Sequence, residues 1–228
     1  MQRLRIRYAK RGRLRFTSHR DFSRAFERAL VRARIPMAYS SGFNPHPRIS
    51  YAGASPTGAA SEAEYLEIGL AEVSDPARIA EQLDEALPDG LDVVAVVEAA
   101  TGSLADHLEA SRWRIELPDT PEPALSAAAA VFLAADAVPV ARMTKKGLRT
   151  FDSRAAVLSL TVTPSATGSR LEVLLHHTVP SVRPDDVLSG LQDTAGLEVA
   201  RTPLVTRLEQ GRYDPTTGVL SDPFGSGG

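Results

Sequence analysis

The chain has 228 residues, 43% of them hydrophobic, which is enough apolar material for one large or two small domains. The absence of cysteine excludes disulfides and metal–thiolate sites, and the lack of a signal-peptide core or of any run near the roughly 20 apolar residues of a membrane span predicts a soluble cytoplasmic protein. The net charge of −2 is unevenly distributed: residues 1–50 carry thirteen Lys/Arg against Asp21 and Glu27, a regional charge of +11 that attracts anions.

The first half of the chain predicts the order strand, helix, strand, strand, helix, strand. Leucine, isoleucine and tyrosine at positions 4, 6 and 8 alternate with arginines, which indicates a strand, and the alternation resumes at 14 and 16 after a basic turn. A capping box, in which Ser18 and Asp21 satisfy each other's amides, begins a helix that extends to about Ala33. A second helix is predicted over 77–87, and the other strands over 49–52, 64–71 and 91–97. This order is the split βαβ of a ferredoxin-like sandwich.

The second half predicts the same order with one additional hairpin. The predicted helices are 123–135 and 184–195, and the predicted strands are 113–117, 138–143, 148–151, 157–163, 171–176 and 197–208. The predicted fold class is therefore α+β: two tandem ferredoxin-like sandwiches with antiparallel sheets. They are expected over 1–99 and 113–210, with a connector at 100–112 and a mobile tail at 211–228.

The first helix carries a row of arginines, Arg20, Arg24, Arg28 and Arg32, at intervals of four residues. Like charges at this spacing repel by roughly 0.2–0.5 kcal/mol per pair, and only Glu27 is near enough within the helix to relieve them. Such a row suits a phosphate-rich ligand. The alternative is a solvated face that pairs with acids elsewhere in the chain, and we favour binding because a basic stripe is a usual footprint of nucleic-acid recognition.

The arginines of the first strand have a second explanation. Arg3, Arg5 and Arg7 would share the face opposite the apolar one, which RNA-recognition modules leave open and equip with aromatic residues for base stacking. Only Tyr8 and Tyr51 are available for stacking here. Salt bridges to glutamates of a neighbouring strand explain these arginines at least as well, so we do not predict base stacking on this sheet.

The segment Gly42–Arg48 predicts a stiff polar loop, because glycine gives backbone freedom and the two prolines restrict their neighbours. Asn44 and His46 can bind hydroxyl and phosphate oxygens, while Phe43 can stack on a base or anchor the loop in the core. An architectural loop, with His46 capping a carbonyl, remains the alternative. Loops carry function more often than their share of residues.

Catalysis is the minority interpretation. A metal-independent endoribonuclease would use His19 or His46 to deprotonate a 2′-hydroxyl. The sequence contains no phosphate-binding glycine loop, nucleophile elbow or zinc-peptidase helix, and it predicts neither a metal site nor a cofactor. The candidate RNA-binding residues are Lys10, Arg11, Arg13, Arg20, Arg24, Arg28, Arg32, Phe43, Asn44, His46, Arg48, Lys145, Lys146 and Arg149.

One combination of motifs is dense over residues 4–70. It comprises Tyr8-Ala9-Lys10, Leu14-Arg15-Phe16, Ser18-His19, Ala38-Tyr39-Ser40, Gly42-Phe43-Asn44-Pro45-His46-Pro47-Arg48-Ile49-Ser50 and Ser61-Glu62-Ala63-Glu64-Tyr65. It resembles the radical-SAM-linked family, a bacterial domain of unknown function that occurs fused to cobalamin-binding radical-SAM proteins or alone. The match is looser to about residue 210, where Lys145-Lys146-Gly147 and Asp152-Ser153-Arg154 also fit.

The resemblance implies a context rather than an activity. Stand-alone members tend to be encoded beside an RNase E/G-type ribonuclease and ribosomal proteins, and the radical-SAM cysteine motif is absent from this chain. The leading hypothesis is therefore an accessory RNA-binding protein for processing or modification of structured rRNA or tRNA. The alternatives are a protein-interaction adaptor for an RNase E/G-type or radical-SAM enzyme, and the endoribonuclease above.

Overall fold

The computed structural model describes residues 1–144 and 147–224 and shows a mixed α+β protein dominated by antiparallel strand pairing. The chain forms two compact units. Unit 1 contains Met1–Leu108 and the chain from Glu209 onward, and unit 2 contains Glu109–Leu208. The segment expected as a connector is thus divided between the two units. No helix in the described part of the chain is long and apolar enough to span a membrane.

Unit 1 contains an antiparallel sheet with two helices on one face. Its strand order is β4-β1-β3, and β2 pairs with the other edge of β3. Two short 3-10 helices, Gly12–Phe16 and Leu104–His107, accompany these elements. The bounds are β1 Gln2–Lys10, α1 His19–Arg32, β2 Ile49–Ala52, β3 Ala60–Leu70, α2 Pro76–Ala86 and β4 Leu91–Glu98.

Helix α1 begins where the sequence predicts. The Asp21 amide donates to the Ser18 hydroxyl oxygen at 3.2 Å, so the cap is confirmed, but the Asp21 carboxylate accepts the Ser18 hydroxyl at 2.7 Å instead of the Ser18 amide. One face of α1 is buried in the core beside Leu4 and Ile6 of β1. The buried residues of this face are Phe22, Phe26, Ala29 and Leu30, whereas Ala25 is half-buried.

The predicted continuation of a strand at positions 14 and 16 is wrong. Gly12 has a positive φ of +54°, which turns the chain at the end of β1, and the following residues bond locally: Leu14 N–H donates to the Arg11 carbonyl and Thr17 N–H to the Leu14 carbonyl. These bonds make a 3-10 helix instead of a ladder. Leu14 packs against the core, but Phe16 is exposed.

The other face of the unit 1 sheet is covered. Ala63 and Tyr65 of β3 pack with Leu104 and Leu108, and Phe224 meets the Tyr65 ring edge-on at 5.3 Å between centroids. The described part of the region expected as a mobile tail, 211–224, instead continues strand β10, Leu204–Asp214, and forms β11, Val219–Ser221, which pairs with it. The last four residues of that region, 225–228, lie outside the described residues.

Unit 2 also contains an antiparallel sheet and two helices. Its sheet has the order β10-β5-β9-β8, and β6 and β7 form a separate two-stranded sheet, which is the additional hairpin that the sequence predicts. The bounds are β5 Ala110–Pro118, α3 Glu122–Ala134, β6 Pro139–Thr144, β7 Gly147–Asp152, β8 Val157–Ser165, β9 Gly168–His176 and α4 Pro184–Ala195.

The last strand begins later than predicted. Gly196 ends α4 in a left-handed conformation, and the next six residues contain an ion pair between Arg201 and Asp119 at 2.7 Å instead of a ladder. Pro203 has no N–H to donate, so β10 begins at Leu204.

Candidate nucleic-acid interface

The outer face of α1 presents its arginine row to solvent. Arg20, Arg24, Arg28 and Arg32 are all exposed, and the row extends over about 18 Å at the helical rise per residue. None of the four forms an ion pair within the described ranges 1–144 and 147–224. Arg32 shares a surface depression with an acid of α2, Glu85. The predicted alternative, pairing with acids elsewhere, is therefore not what the described residues form.

The Gly42–Arg48 loop is fixed at its base and exposed at its tip. Ser40 N–H donates to the His46 carbonyl at 2.9 Å, and His46 N–H donates to the Ser40 hydroxyl at 3.0 Å. Arg48 N–H then donates to the Ala38 carbonyl at 2.9 Å. Gly42, at φ +135°, turns the chain in a backbone conformation that other residues rarely adopt. The backbone of His46, not its exposed ring, therefore closes the loop.

The Phe43 ring lies at the tip of this loop and is exposed to solvent. The Phe43 side chain is fully exposed, at 101% of its reference area, so the interpretation of Phe43 as a core anchor is wrong. Asn44 is also exposed. An aromatic ring held in water on a preformed loop is available to stack on a nucleobase or to enter a partner's pocket.

A groove of about 400 Å³ separates α1 from the base of the loop. Its floor includes the buried side chains of Leu30, Ile35 and Met37. Tyr39 and Pro47, which form a bridge between the two strands of the loop base, line one side. Glu27, Val31 and Arg34 complete the lining.

Arg34 adopts a backbone conformation that usually belongs to glycine. It follows the C-cap of α1 at φ +53°, while Ile35 N–H donates across it to the Leu30 carbonyl at 3.0 Å. This is the helix-ending position where glycine is strongly preferred, and a left-handed arginine costs about 1 kcal/mol there. Neither Arg34 nor Tyr39 is predicted from the sequence as a site residue, because no local pattern shows the left-handed backbone of Arg34 or the bridge between Tyr39 and Pro47.

A second group of basic and aromatic side chains lies before α1. Arg13 is exposed, and the Arg15 guanidinium lies 4.6 Å from the centroid of the exposed Phe16 ring. Phe16 is not among the predicted site residues, because the alternation of apolar residues in the sequence indicates a strand at this position. At the start of α1, the exposed His19 ring meets Tyr51 edge-on at 4.8 Å.

Two of the predicted RNA-binding residues have structural roles instead. Lys10 is buried, 5% exposed, where β1 pairs with β3 and β4. Arg11 donates to Glu62 at 2.8 Å and to Asp92 at 2.6 Å, and the bond to Glu62 raises the pKa of the guanidinium above its ordinary value. Lys10 is therefore buried within the sheet, and the Arg11 guanidinium is already paired with two carboxylates.

The arginines of β1 bind partners on the neighbouring strand β3, as the second explanation of these residues predicts. Arg3 and Arg5 both pair with Glu67, at 3.1 and 3.3 Å, and Arg7 donates to the Glu62 carbonyl at 2.9 Å. Arg5 is fully buried and also donates to the carbonyls of residues 100 and 102, at 3.2 and 2.9 Å. These arginines hold the sheet and its covering segment.

The two candidate stacking aromatics lie beneath α1. The Tyr8 ring stacks on Phe22 at 4.5 Å, and Tyr51 meets Phe22 edge-on at 6.0 Å. Burial raises the pKa of the Tyr51 hydroxyl above its ordinary value. Since the opposite face of the sheet is covered as well, base stacking on an open sheet is excluded for unit 1.

The described contacts do not join His19 and His46 to a common partner. His19 lies against Tyr51, and His46 belongs to the loop base. The described part of the chain also contains no group of three or more His, Cys, Asp or Glu side chains that could hold a metal ion. Among the described residues, the arrangement thus supplies exposed donors and rings, but no assembled acid–base pair.

The basic hairpin of unit 2 is only partly described. Lys145 and Lys146 lie outside the described residues, and Arg149 is exposed on β7. Arg142 donates to the Ser181 carbonyl at 2.9 Å, pairs with the buried Asp186 and covers the Phe151 ring. Burial raises the pKa of Asp186. Arg142 therefore fixes the hairpin to α4, and Arg149 remains exposed.

No curated protein matches this chain. Among solved structures, it is similar to the first two RRM domains of the yeast poly(U)-binding protein Pub1, with 12% identity over 90% of this chain and 98% of that chain. The TM-score is 0.24, which does not establish a shared fold. A family profile matches residues 3–184. The chain therefore belongs to the DUF2344 family, whose description is an uncharacterised protein conserved in bacteria.

Proposed function

We propose that this protein binds RNA through the surface formed by the outer face of α1 and the Gly42–Arg48 loop. The observation that carries the proposal is the row Arg20, Arg24, Arg28 and Arg32, exposed and without an ion pair among the described residues. Adjacent arginines of this row repel one another, so the row is unfavourable until anions neutralise it. A phosphate backbone supplies anions in a line.

The Gly42–Arg48 loop adds groups that can stack on a base and bind hydroxyls, which a row of charges does not provide. A base stacked on the exposed Phe43 ring contributes roughly 1–3 kcal/mol of binding free energy. The loop base is already hydrogen-bonded, so little conformational entropy is lost on binding. Asn44 and His46 can bind 2′-hydroxyls, which distinguish RNA from DNA.

The proposal concerns structured RNA with unpaired bases, such as rRNA or tRNA. The helical row suits a phosphate backbone and Phe43 suits a base that is not in a stack. The strand order β4-β1-β3-β2 in unit 1 and β10-β5-β9-β8 in unit 2 supports a ferredoxin-like assignment for each unit. The radical-SAM-linked resemblance suggests an accessory role beside an RNase E/G-type ribonuclease or a radical-SAM enzyme.

A protein-binding adaptor is the second candidate, because Phe43 could also enter a pocket of an acidic partner. RNA is favoured since four exposed arginines at one helical spacing match a chain of equal charges. The endoribonuclease alternative has no support from the contacts of His19 and His46 described above.

The test measures binding of a short RNA hairpin and of a single-stranded RNA over a salt series. For single strands, the logarithm of the binding constant falls with the logarithm of salt by about 0.7 per phosphate contact. The variant Arg24→Glu/Arg28→Glu should bind both RNAs more weakly and with a flatter salt dependence. Unchanged binding in this variant contradicts the proposal.

The matched control is Arg78→Glu, an exposed arginine on the neighbouring helix α2 with no ion pair in the described part of the chain. It should leave RNA affinity nearly unchanged, whereas the single variant Arg24→Glu should reduce it. The recovered RNA is examined for 2′,3′-cyclic phosphate ends, which only the endoribonuclease alternative predicts and which His19→Ala or His46→Ala would abolish.

A further inference from the structure

We infer that the groove between α1 and the loop base holds one unpaired base of the bound RNA, and that Glu27 reads the edge of that base. The inference rests on the proposed function and assigns the substrate class: RNA with an unpaired guanine. The groove lies between α1, which carries the arginine row, and the base of the loop that carries Phe43 at its tip, and residues of both elements line it. A base that leaves the stack next to a held backbone can therefore enter it.

The shape of the groove suits a flat ring. Its volume of about 400 Å³ lies within the range of roughly 300–1,000 Å³ that small-molecule sites occupy. The floor is apolar, and Tyr39 and Val31 are 52% and 73% exposed beside it. Bases that leave a stack are held in this way, between an aromatic side chain and an apolar surface.

Glu27 gives the groove its specificity. It is the one carboxylate among the lining residues, and it forms no ion pair within the described ranges although Arg24 and Arg28 lie next to it on α1. A carboxylate has two acceptor oxygens and no donor. Guanine offers adjacent N1–H and N2–H donors on its Watson–Crick edge, which match this pair of oxygens.

The other bases match the carboxylate less well. Adenine and cytosine each offer an amino group beside an acceptor nitrogen, which faces the second carboxylate oxygen unfavourably. Uracil offers a single N3–H between two carbonyls. Glu27 should therefore select guanine first and uracil last.

The charge around the groove suits a nucleotide and argues against an apolar peptide. Arg34 lines the groove, held by its left-handed backbone, and Arg24, Arg28 and Arg32 surround Glu27 on the helix surface. A ligand that combines an apolar ring, two hydrogen-bond donors and a flanking anion satisfies all of these groups. A phosphorylated ribose that carries guanine has this combination.

The experiment uses RNA hairpins with one stem and an all-uridine loop in which a single nucleotide, tested at each loop position in turn, is G, A, C or U. Affinity is measured by fluorescence anisotropy at one salt concentration. At one position, the wild-type protein should prefer guanine to uracil by roughly ten-fold, the size of a two-bond base contact. Glu27→Gln should reduce this preference to about two-fold, because the amide keeps one acceptor and loses the other.

The control for charge is Glu81→Gln on α2, which removes the same charge from an exposed helical position and should retain the preference. A second variant, Tyr39→Leu, removes an aromatic wall without a change of charge. It should weaken binding of the guanine-containing hairpin several-fold and leave binding of a blunt duplex nearly unchanged.

The outcomes separate this inference from the proposed function. If the wild-type protein binds all loops equally with a steep salt dependence, the groove inference is wrong and RNA binding stands. If Glu27→Gln changes the affinity of all four hairpins by one factor, Glu27 acts only as a background charge and the inference is also wrong. If no RNA binds, both the inference and the proposed function fail.

Discussion

The arginines of β1 and the arginines of α1 belong to one basic region of the sequence and have opposite situations in the structure. Arg3 and Arg5 share Glu67, and Arg11, directly after the strand, holds Glu62 and Asp92. The α1 row forms no ion pair within the described part of the chain. Positive charge therefore serves the fold in one element and is left exposed in the other.

The difference arises from what packs beside each element. β1 is a central strand, so pairing with β3 and β4 brings their carboxylates within reach of its arginines. α1 buries one face against the sheet and turns the other to solvent, where no strand can bring an acid. A regional excess of charge thus predicts a ligand only for the part that the fold does not neutralise.

The largest loss of stability should come from substitution of Arg5, the buried arginine of β1. Arg5→Ala removes the donor of two backbone carbonyls and the buried partner of Glu67, which keeps only the exposed Arg3. Breaking a buried ion pair costs about 3–5 kcal/mol of unfolding free energy, and we expect the lower end of that range because Arg3 remains. Urea unfolding measures the change.

The matched control for Arg5 is Arg3→Ala. Arg3 also pairs with Glu67, but its side chain is 46% exposed. Exposed pairs contribute at most about 1 kcal/mol, so this variant should remain close to the wild-type stability. Equal losses in the two variants would show that burial does not distinguish the strand arginines.

A smaller effect is expected for Arg11, which the sequence places among the RNA-binding residues and the structure places in a surface ion-pair network. Arg11→Ala should lower the unfolding free energy by up to about 1 kcal/mol, because its partners Glu62 and Asp92 are partly exposed. RNA affinity should not change. A loss of RNA affinity in Arg11→Ala would place Arg11 on the ligand-binding surface.

Much of the fold follows from local pattern. The Ser18 cap and the apolar spacing of Phe22, Phe26 and Leu30 define α1, and alternation indicates β1 as far as Tyr8, although the strand continues to Lys10, which the sequence assigns to the turn. The same patterns fail at positions 14 and 16, where Gly12 turns the chain and local hydrogen bonds replace the ladder. Periodicity reports the side that a residue faces, but not whether a strand partner is present.

The candidate site was partly predictable for a similar reason. The arginine row and the stiff loop are each formed by a single short stretch of sequence. The spacing of the arginines identifies the row, and the glycine and prolines identify the loop. The burial of Lys10 depends on β3 and β4, and the covering of the sheet depends on Phe224 meeting Tyr65, 159 positions earlier. The groove itself requires α1 and the loop base to pack side by side, so that Glu27 and Tyr39 line the same depression. Contacts between distant segments leave no local signal.

The smallest expected effect concerns stability and has the opposite sign to the others. Arg28→Ala removes the repulsion of Arg28 with Arg24 and with Arg32, roughly 0.2–0.5 kcal/mol for each pair, and alanine is the best helix former. The unfolding free energy should rise by a few tenths of a kcal/mol at low salt, while RNA affinity falls. Arg78→Ala on α2, which has no arginine four residues away, should show neither the salt-dependent gain nor the loss of affinity. A loss of stability in Arg28→Ala would mean that the arginine has a folding role like that of Arg5. A gain together with weaker binding would mean that the chain carries this charge for its ligand.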